Sequence, residues 1–441
     1  MKKSLRFVSL SMAFVMSLIL LAGCGNKESG KTAASTAKNN ETATTAAPKK
    51  GPVSLVFYHW GSGTLQKQLD EFQKKNDGTK VELVLTPNNE YTDKLKIALA
   101  GGEKIDVYAN TNGANYVDFA AKFKAVPLDD YVAKDKWDLT PFGSTINYSK
   151  IDGKLLGLPT AKNGWLLYYN KKLFDDAKVP YPKDDMTWNE YAELAKKMTK
   201  GDGANKIWGS FMQDWAQVWA IPQIQKGKTI FDDDLSLAKE GLALHIKMQN
   251  VDKSEMPWAD VKTGKVHHRD AFAKGNVAMM VIGDWMLNIL NGFKKDGKIA
   301  FDYDIANPPH PEGVPAGTTI GGPSTFLCIN GTSQHKEDAW KLIKFITGEE
   351  GSLIYAADKQ SPAYVNDKIL NAFVGDTPQP ANLKIFLKLN AIPQFPFKVG
   401  ASDVDKIMTE EGELAFVGEQ NADKAMEKII KRRAEALAKY K

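Results

Sequence analysis

Residues 53–109 alternate between short apolar runs and amphipathic stretches, and this alternation restricts the fold more than any other feature of the chain. Val53-Ser-Leu-Val-Phe-Tyr-His59-Trp60 has the length and apolar density of a strand. From about Thr64, Leu65, Leu69 and Phe72 recur at helical spacing, and Val81-Glu-Leu-Val-Leu85 forms a second strand. A second helix over residues 91–100 is stopped by Gly101-Gly102, and Ile105-Asp-Val-Tyr-Ala109 supplies a third strand. Strand and helix in this order require parallel strands joined by right-handed crossovers. The fold class is therefore α/β. At 441 residues the chain is too long for one small core and suits two α/β lobes. His59-Trp60 and Asn110-Thr111, at the ends of the first and third strands, then share the sheet edge where open α/β sheets take ligands.

A second informative stretch is Ala271-Phe-Ala-Lys-Gly-Asn-Val-Ala-Met-Met-Val-Ile-Gly-Asp-Trp285. It reads as a helix end to Lys274, a Gly275-Asn276 turn and a doubly covered strand over 277–282. Gly283 and Asp284 end that strand and Trp285 follows at once. An indole at the end of a strand, beside a carboxylate, can stack on the apolar face of a sugar while the acid bonds hydroxyls; it can equally cap a core. Asp214-Trp215 repeats the pair, and Trp258, after Met256-Pro257, is a third candidate. Trp188 and Tyr191 belong to the core instead. Thr187-Trp-Asn-Glu190 is a capping box, and its helix turns Trp188, Tyr191, Leu194, Ala195 and Met198 to one face. Asp152-Gly153 marks a hairpin turn, and 166–169 a further strand left by Asn170-Lys171. Gly321-Gly322 implies a tight backbone passage, either a connector between lobes or a close approach to ligand.

The N-terminus reads as a leader. Lys2, Lys3 and Arg6 precede an apolar run over 8–21, short for a membrane span, and Leu21-Ala-Gly-Cys24 follows. That ending resembles the bacterial lipobox, which implies a diacylglycerol-modified Cys24 after cleavage of residues 1–23. Residues 24–52, rich in Ala, Thr, Lys, Asn and Ser, are expected to be a tether. The leader carries three of the formal charges that sum to +5, leaving about +2, a balance that gives no signal for nucleic acid. Cys328, inside an apolar run, is expected to be a buried small hydrophobe. His267-His268 is read as surface, and no metal or cofactor is expected. Gly61-Ser62-Gly63 lacks the glycine spacing and the Lys-Ser/Thr ending of a nucleotide loop.

Taken in order, these segments resemble the family 1 extracellular solute-binding proteins of ABC importers, the maltose-binding-protein-like group. The resemblance rests on Cys24, Gly153-Lys-Leu-Leu-Gly-Leu-Pro159, Tyr169-Asn-Lys171, Ala271-Phe-Ala-Lys-Gly-Asn-Val-Ala-Met-Met280, Gly283-Asp-Trp285, Gly321-Gly322 and Ala339-Trp340 through Phe345. It implies a two-lobed periplasmic-binding-protein-like fold with a ligand cleft between lobes joined by hinge strands. Lobe one would comprise 53–162 plus 323–360, and lobe two 163–322 plus 361–441. The hinges would fall near 160–163, 320–324 and 360–363. Trp285 matches the family's sugar-stacking tryptophan. Asn163 is an amide at a position where maltose-binding protein has an acidic ligand contact, so specificity there should differ. Trp215 falls near an aromatic binding position. His59, Trp60 and Asn110 are placed by sheet geometry and family position together, and Gly322 by its tight passage.

The implied function is a lipid-anchored sugar carrier, a monomer outside the cytoplasmic membrane, that delivers a sugar or oligosaccharide to permease subunits and catalyses nothing. The lipid and the high Lys content suit a Gram-positive surface better than the alternative, a Gram-negative envelope. Two rivals keep the fold: a carrier of a peptide, polyamine or metal complex, and an adhesin or sensor partner. A third, a secreted glycoside hydrolase, would need Asp214 and Asp284 at about 5 Å for retention or roughly 6.5–9.5 Å for inversion.

Overall fold

In the computed structural model the chain is described over residues 52–61, 63–376 and 380–440. The leader, Cys24 and the tether through residue 51 lie outside these described residues. β1 (Val53–His59) lies between β2 (Thr79–Leu85) and β3 (Val107–Asn110) and pairs with both in parallel, with Leu55 opposite Val81 and Phe57 opposite Val107. The connecting helices, Gly63–Lys75 and Asn88–Gly101, match the expected crossovers. The third strand starts two residues later than its apolar run and ends on Asn110, which enters the ladder opposite Phe326.

The small hairpin forms as the sequence implies: β4 (Lys150–Ile151) and β5 (Lys154–Leu155) flank Asp152 and Gly153, both at positive φ. β6 (Leu158–Asn170) is far longer than the strand expected over 166–169. It is followed by β7 (Trp208–Phe211), β8 (Val277–Gly283), β9 (Tyr303–Ala306), β10 (Thr318–Ile329) and β11 (Asn390–Pro393). The sheet runs β2-β1-β3-β10-β6-β8-β7, with β11 added on β10 and β9 on β6.

Two lobes hang on this sheet. In one, Leu55, Phe57, Leu69, Phe72, Leu342 and Ile343 pack on one sheet face, and Tyr58, Tyr91, Tyr108, Tyr116 and Cys328 on the other. In the second, Trp165–Tyr169 and Val277–Ile282 pack against Trp219, Leu242, Phe272, Val404 and Ile429. β6 and β10 carry the chain between them. The first half of β6 pairs with β10, from Leu158 opposite Leu327 to Gly164 opposite Gly321; the second half pairs with β8. A third segment runs alongside: Lys162 N–H donates to Ser361 O at 3.1 Å, and Ala363 N–H to Thr160 O at 3.1 Å. Residues 160–163, 320–324 and 360–363 thus lie side by side where the two cores meet. Thr325, beside them, has φ 54, a left-handed conformation costly for a β-branched residue.

The capping box is present at Thr187, and Trp188 and Tyr191 are buried as expected. Cys328 is fully buried, which pushes its thiol up to about 12. Trp258 corrects one expectation. It opens the helix Trp258–Thr263, is 2% exposed and stacks on Phe416 at 4.7 Å, so it is a core residue and not a binding surface.

Candidate functional site

β8 is buried along its whole length because helices cover both faces, and it stops where Gly283 gives way to Asp284. The helix Trp285–Lys295 starts there, and its first side chain folds back over Gly283. A Cβ on Gly283 would meet the Trp285 ring at 2.0 Å, so only glycine lets the indole lie there. The ring is fixed on its other sides as well. Trp165 meets it edge-on at 5.7 Å and 90°, and Trp215 lies 6.3 Å away at 53°. Trp215 precedes the helix Ala216–Gln225 and contacts Trp165 at 6.3 Å. Trp165 is fully buried, whereas Trp215 and Trp285 keep part of their surface open. The two Asp-Trp pairs of the sequence therefore form one aromatic wall.

A hydrogen-bond chain holds this wall. Trp285 Nε1 donates to His268 Nε2 at 3.3 Å, and His268 Nδ1 lies 3.0 Å from Gln213 Oε1. Gln213 in turn donates from Nε2 to Asp214 Oδ1 at 2.6 Å. Because Nε2 accepts, Nδ1 carries the proton and the imidazole is neutral. Burial lowers the His268 pKa well below its ordinary value, in keeping with this tautomer. His268 thus departs from the surface position expected of the His267-His268 pair: it is 2% exposed and starts the helix His268–Ala273. Adjacent residues on a helix point in different directions, and here His268 takes the inward one.

Asp284 is 1% exposed. Gly164 N–H donates to its Oδ1 at 3.1 Å, while its own N–H donates to Gly164 O at 3.0 Å. The Ser361 N–H also favours its charged form, yet burial outweighs these bonds and raises the carboxyl pKa to about 7. The hydroxyl-bonding role expected for Asp284 meets a carboxylate already occupied by backbone amides. Asp214, the other acid of the hydrolase reading, is bonded to Gln213 and lies 3.8 Å from Lys262 Nζ.

The remaining candidates sit elsewhere. Asn163, half-buried, faces Gly322 in the β6–β10 ladder. Gly322 has φ +88, and a Cβ there would come within 3.3 Å of Pro393 Cα. On the first lobe, His59 ends β1 with its Nδ1 accepting from Gly61 N–H at 2.8 Å; burial lowers its pKa to about 3, so it is neutral. Trp60 stacks on His59 at 4.2 Å and meets Tyr91 edge-on at 5.0 Å. Asn110 is 1% exposed and donates from Nδ2 to Cys328 Sγ at 3.3 Å, while its Oδ1 is buried without a partner. The structure brings together Trp215 with Trp285, His59 with Trp60, and Asn163 with Gly322, leaving Asn110 against Cys328.

Trp165, Gln213 and His268 were not among the sequence candidates. The signal for Trp165 was its place two residues after Asn163, just ahead of the apolar run. A surface hollow of about 430 Å³ between the helices His268–Ala273 and Trp285–Lys295 is lined by Arg269, Asn288 and Phe293 and includes none of the candidates.

Residues 61–352 match the family described as bacterial extracellular solute-binding protein. A Deinococcus radiodurans protein described as "Probable ABC transporter-binding protein" is 26% identical over 334 residues, covering 69% of this chain and 74% of its own. A sugar transporter from Rhizobium etli, solved in an open conformation, is 28% identical with a TM-score of 0.72, covering 87% of this chain and 99% of that one. An ABC substrate-binding protein from Listeria monocytogenes, in complex with cycloalternan, is 24% identical with a TM-score of 0.78, covering 88% of this chain and 100% of that one.

Proposed function

The chain belongs to the bacterial extracellular solute-binding protein family, and from that premise we propose that it is the sugar-binding component of an ABC importer, with an oligosaccharide as its ligand. The family is one of ligand carriers, not of enzymes. The observation that carries the sugar reading is the aromatic wall: Trp215 and Trp285, half-open and 6.3 Å apart, beside the segments that join the lobes. Two indoles at an angle suit two successive pyranose faces, since the C–H faces of a sugar stack on aromatic rings and its hydroxyls project sideways. The Rhizobium etli sugar transporter, the Listeria monocytogenes protein with cycloalternan and a Thermotoga maritima protein with maltose support a carbohydrate ligand.

In this reading lobe one is 53–162 plus 323–360 and lobe two is 163–322 plus 361–441. Trp60 closes on the ligand from lobe one, with His59 and Asn110 behind it. Asn163 bonds hydroxyls at the connecting strands, where the tight passage at Gly322 lets backbone approach. Asp284, occupied by amides, contributes through the Trp285 that follows it. Cys24 carries the lipid, residues 24–52 tether the body to the outer face of a membrane, a Gram-positive surface by the lipid and the high Lys content of the chain, and the monomer delivers sugar to permease subunits. A ligand drives lobe closure only as far as it binds the closed state better than the open one.

A thermal-shift screen of the folded body against mono- and oligosaccharides, with peptides and metal chelates as controls, tests this. A ligand that binds only the native state raises Tm by mass action. A rise with one oligosaccharide class, abolished in Trp285→Ala, is expected. A shift with a peptide or chelate and none with any sugar overturns the sugar assignment and leaves the family intact.

A further inference from the structure

The expected partner of a sugar hydroxyl, Asp284, is instead built into the junction of the two lobes. Its main chain and side chain grip Gly164 from both sides: Asp284 N–H to Gly164 O at 3.0 Å, and Gly164 N–H to Asp284 Oδ1 at 3.1 Å. Gly164 sits where β6 leaves β10 for β8, since Gly164 pairs with Gly321 and Trp165 with Gly283. The Ser361 backbone, on the third segment that passes between the cores, also favours the charged carboxyl. One residue later the chain presents Trp285. We propose that Asp284 is a positioning residue, whose carboxyl ties the Trp285 indole to two of the three lobe-joining segments and so couples the tilt of the aromatic wall to their packing.

The coupling has a proton dependence that follows from the burial. The titratable groups facing the carboxyl are the hydroxyls of Tyr168 on β6 and Tyr355 on the helix Glu349–Ala357; burial, and after it Asp284 itself, pushes both up. Among the described residues, no cation offsets the desolvation of Asp284. Desolvation therefore raises its pKa from 3.8 to about 7 in the packed arrangement. Any arrangement that exposes the carboxyl to water returns it towards its ordinary value. The packed form then binds the proton more tightly, so lowering the pH through 7 favours it and raising the pH loosens it. Asp284→Asn keeps the shape and mimics the protonated form.

The role of Trp285 as a ligand platform rests on the sugar reading above, but the coupling is measured without ligand. Hydrogen exchange at the Gly164 and Ser361 amides of the ligand-free full chain in detergent, divided by the intrinsic exchange rate at each pH, reports opening of this junction. Protection at Gly164 should rise about fourfold from pH 8.5 to pH 6.5 in the wild type, and Asp284→Asn should show the acid level at both. Equal wild-type protection at the two pH values overturns the proposal, and this arm stands even if the variant does not fold. A folded Asp284→Asn that keeps the wild-type slope overturns it too. If an oligosaccharide binds, its affinity should follow the same pH trend in the wild type and be flat in the variant; if none binds, only the sugar reading fails.

Discussion

The two aromatic walls use the same residue types on opposite terms. On the second lobe, indole surface is left open and a chain of hydrogen bonds runs behind it, Trp285 to His268, His268 to Gln213, Gln213 to Asp214, while Trp165 Nε1 is buried without a partner. On the first lobe the polar groups are drawn inward. His59 is spent on the Gly61 amide and Asn110 on a buried thiol, leaving Trp60 as the half-open ring. A wall with a rigid, back-bonded stacking surface gives affinity before closure, because its side chains lose little freedom on binding. A wall with one open ring gives mainly what closure adds. The second lobe should therefore hold most of the binding energy, and the first should report on closing.

Trp285→Ala is the sharpest way to break this asymmetry. It removes a central stacking surface, and a loss of about 2–3 kcal/mol in binding, on the order of a hundredfold in Kd, is expected by calorimetry. His268→Leu comes next. It leaves Trp285 Nε1 without its acceptor, while Gln213 Oε1 keeps the backbone N–H of residue 268, so urea unfolding should show a loss of about 1–2 kcal/mol in stability. If stability is unchanged, the chain behind the wall does not hold it.

The third test uses pH. Unfolded His59 binds a proton near its ordinary 6.5, whereas folded His59 stays neutral down to about 3. The unfolded state thus holds more protons in that window, and stability falls as the pH drops through it, by about 1.4 kcal/mol per unit for each such group. His268, lowered for the same reason, adds in the same direction. His59→Gln should make the slope between pH 6 and 4 shallower by about one such increment; an unchanged slope contradicts the buried neutral imidazole. The smallest effect on binding is expected from Trp60→Ala, a few-fold loss or about 1 kcal/mol.

How much of this was legible in the sequence differs between the same regions. β1 to β3 were readable because each strand is a short, mostly apolar run bounded by helix periodicity or glycine. The first half of β6 was not: Pro159, Lys162, Asn163 and Gly164 break strand patterning there, because the segment joins two cores instead of lying inside one, and Lys162 is exposed. The Asp-Trp repeats pointed to Trp215 and Trp285, whose rings lie 6.3 Å apart, but spacing carries no information on which ring is open, so Trp258 stood beside them and is buried. His268 escaped for a related reason: a histidine dyad looks like surface until tertiary packing decides which of its members turns in. Asp284 shows the limit most clearly. Its type suggested an acceptor for ligand, and only the three-dimensional neighbourhood shows that it is buried with the Gly164 amide bonded to one of its oxygens.

The central claim is that the indole wall of the second lobe binds the sugar. Titration calorimetry of wild type, Trp285→Ala and Trp60→Ala with the responding oligosaccharide tests it most directly. The account predicts a loss on the order of a hundredfold for Trp285→Ala and only a few-fold for Trp60→Ala. Equal losses, or a larger loss at Trp60, would contradict it.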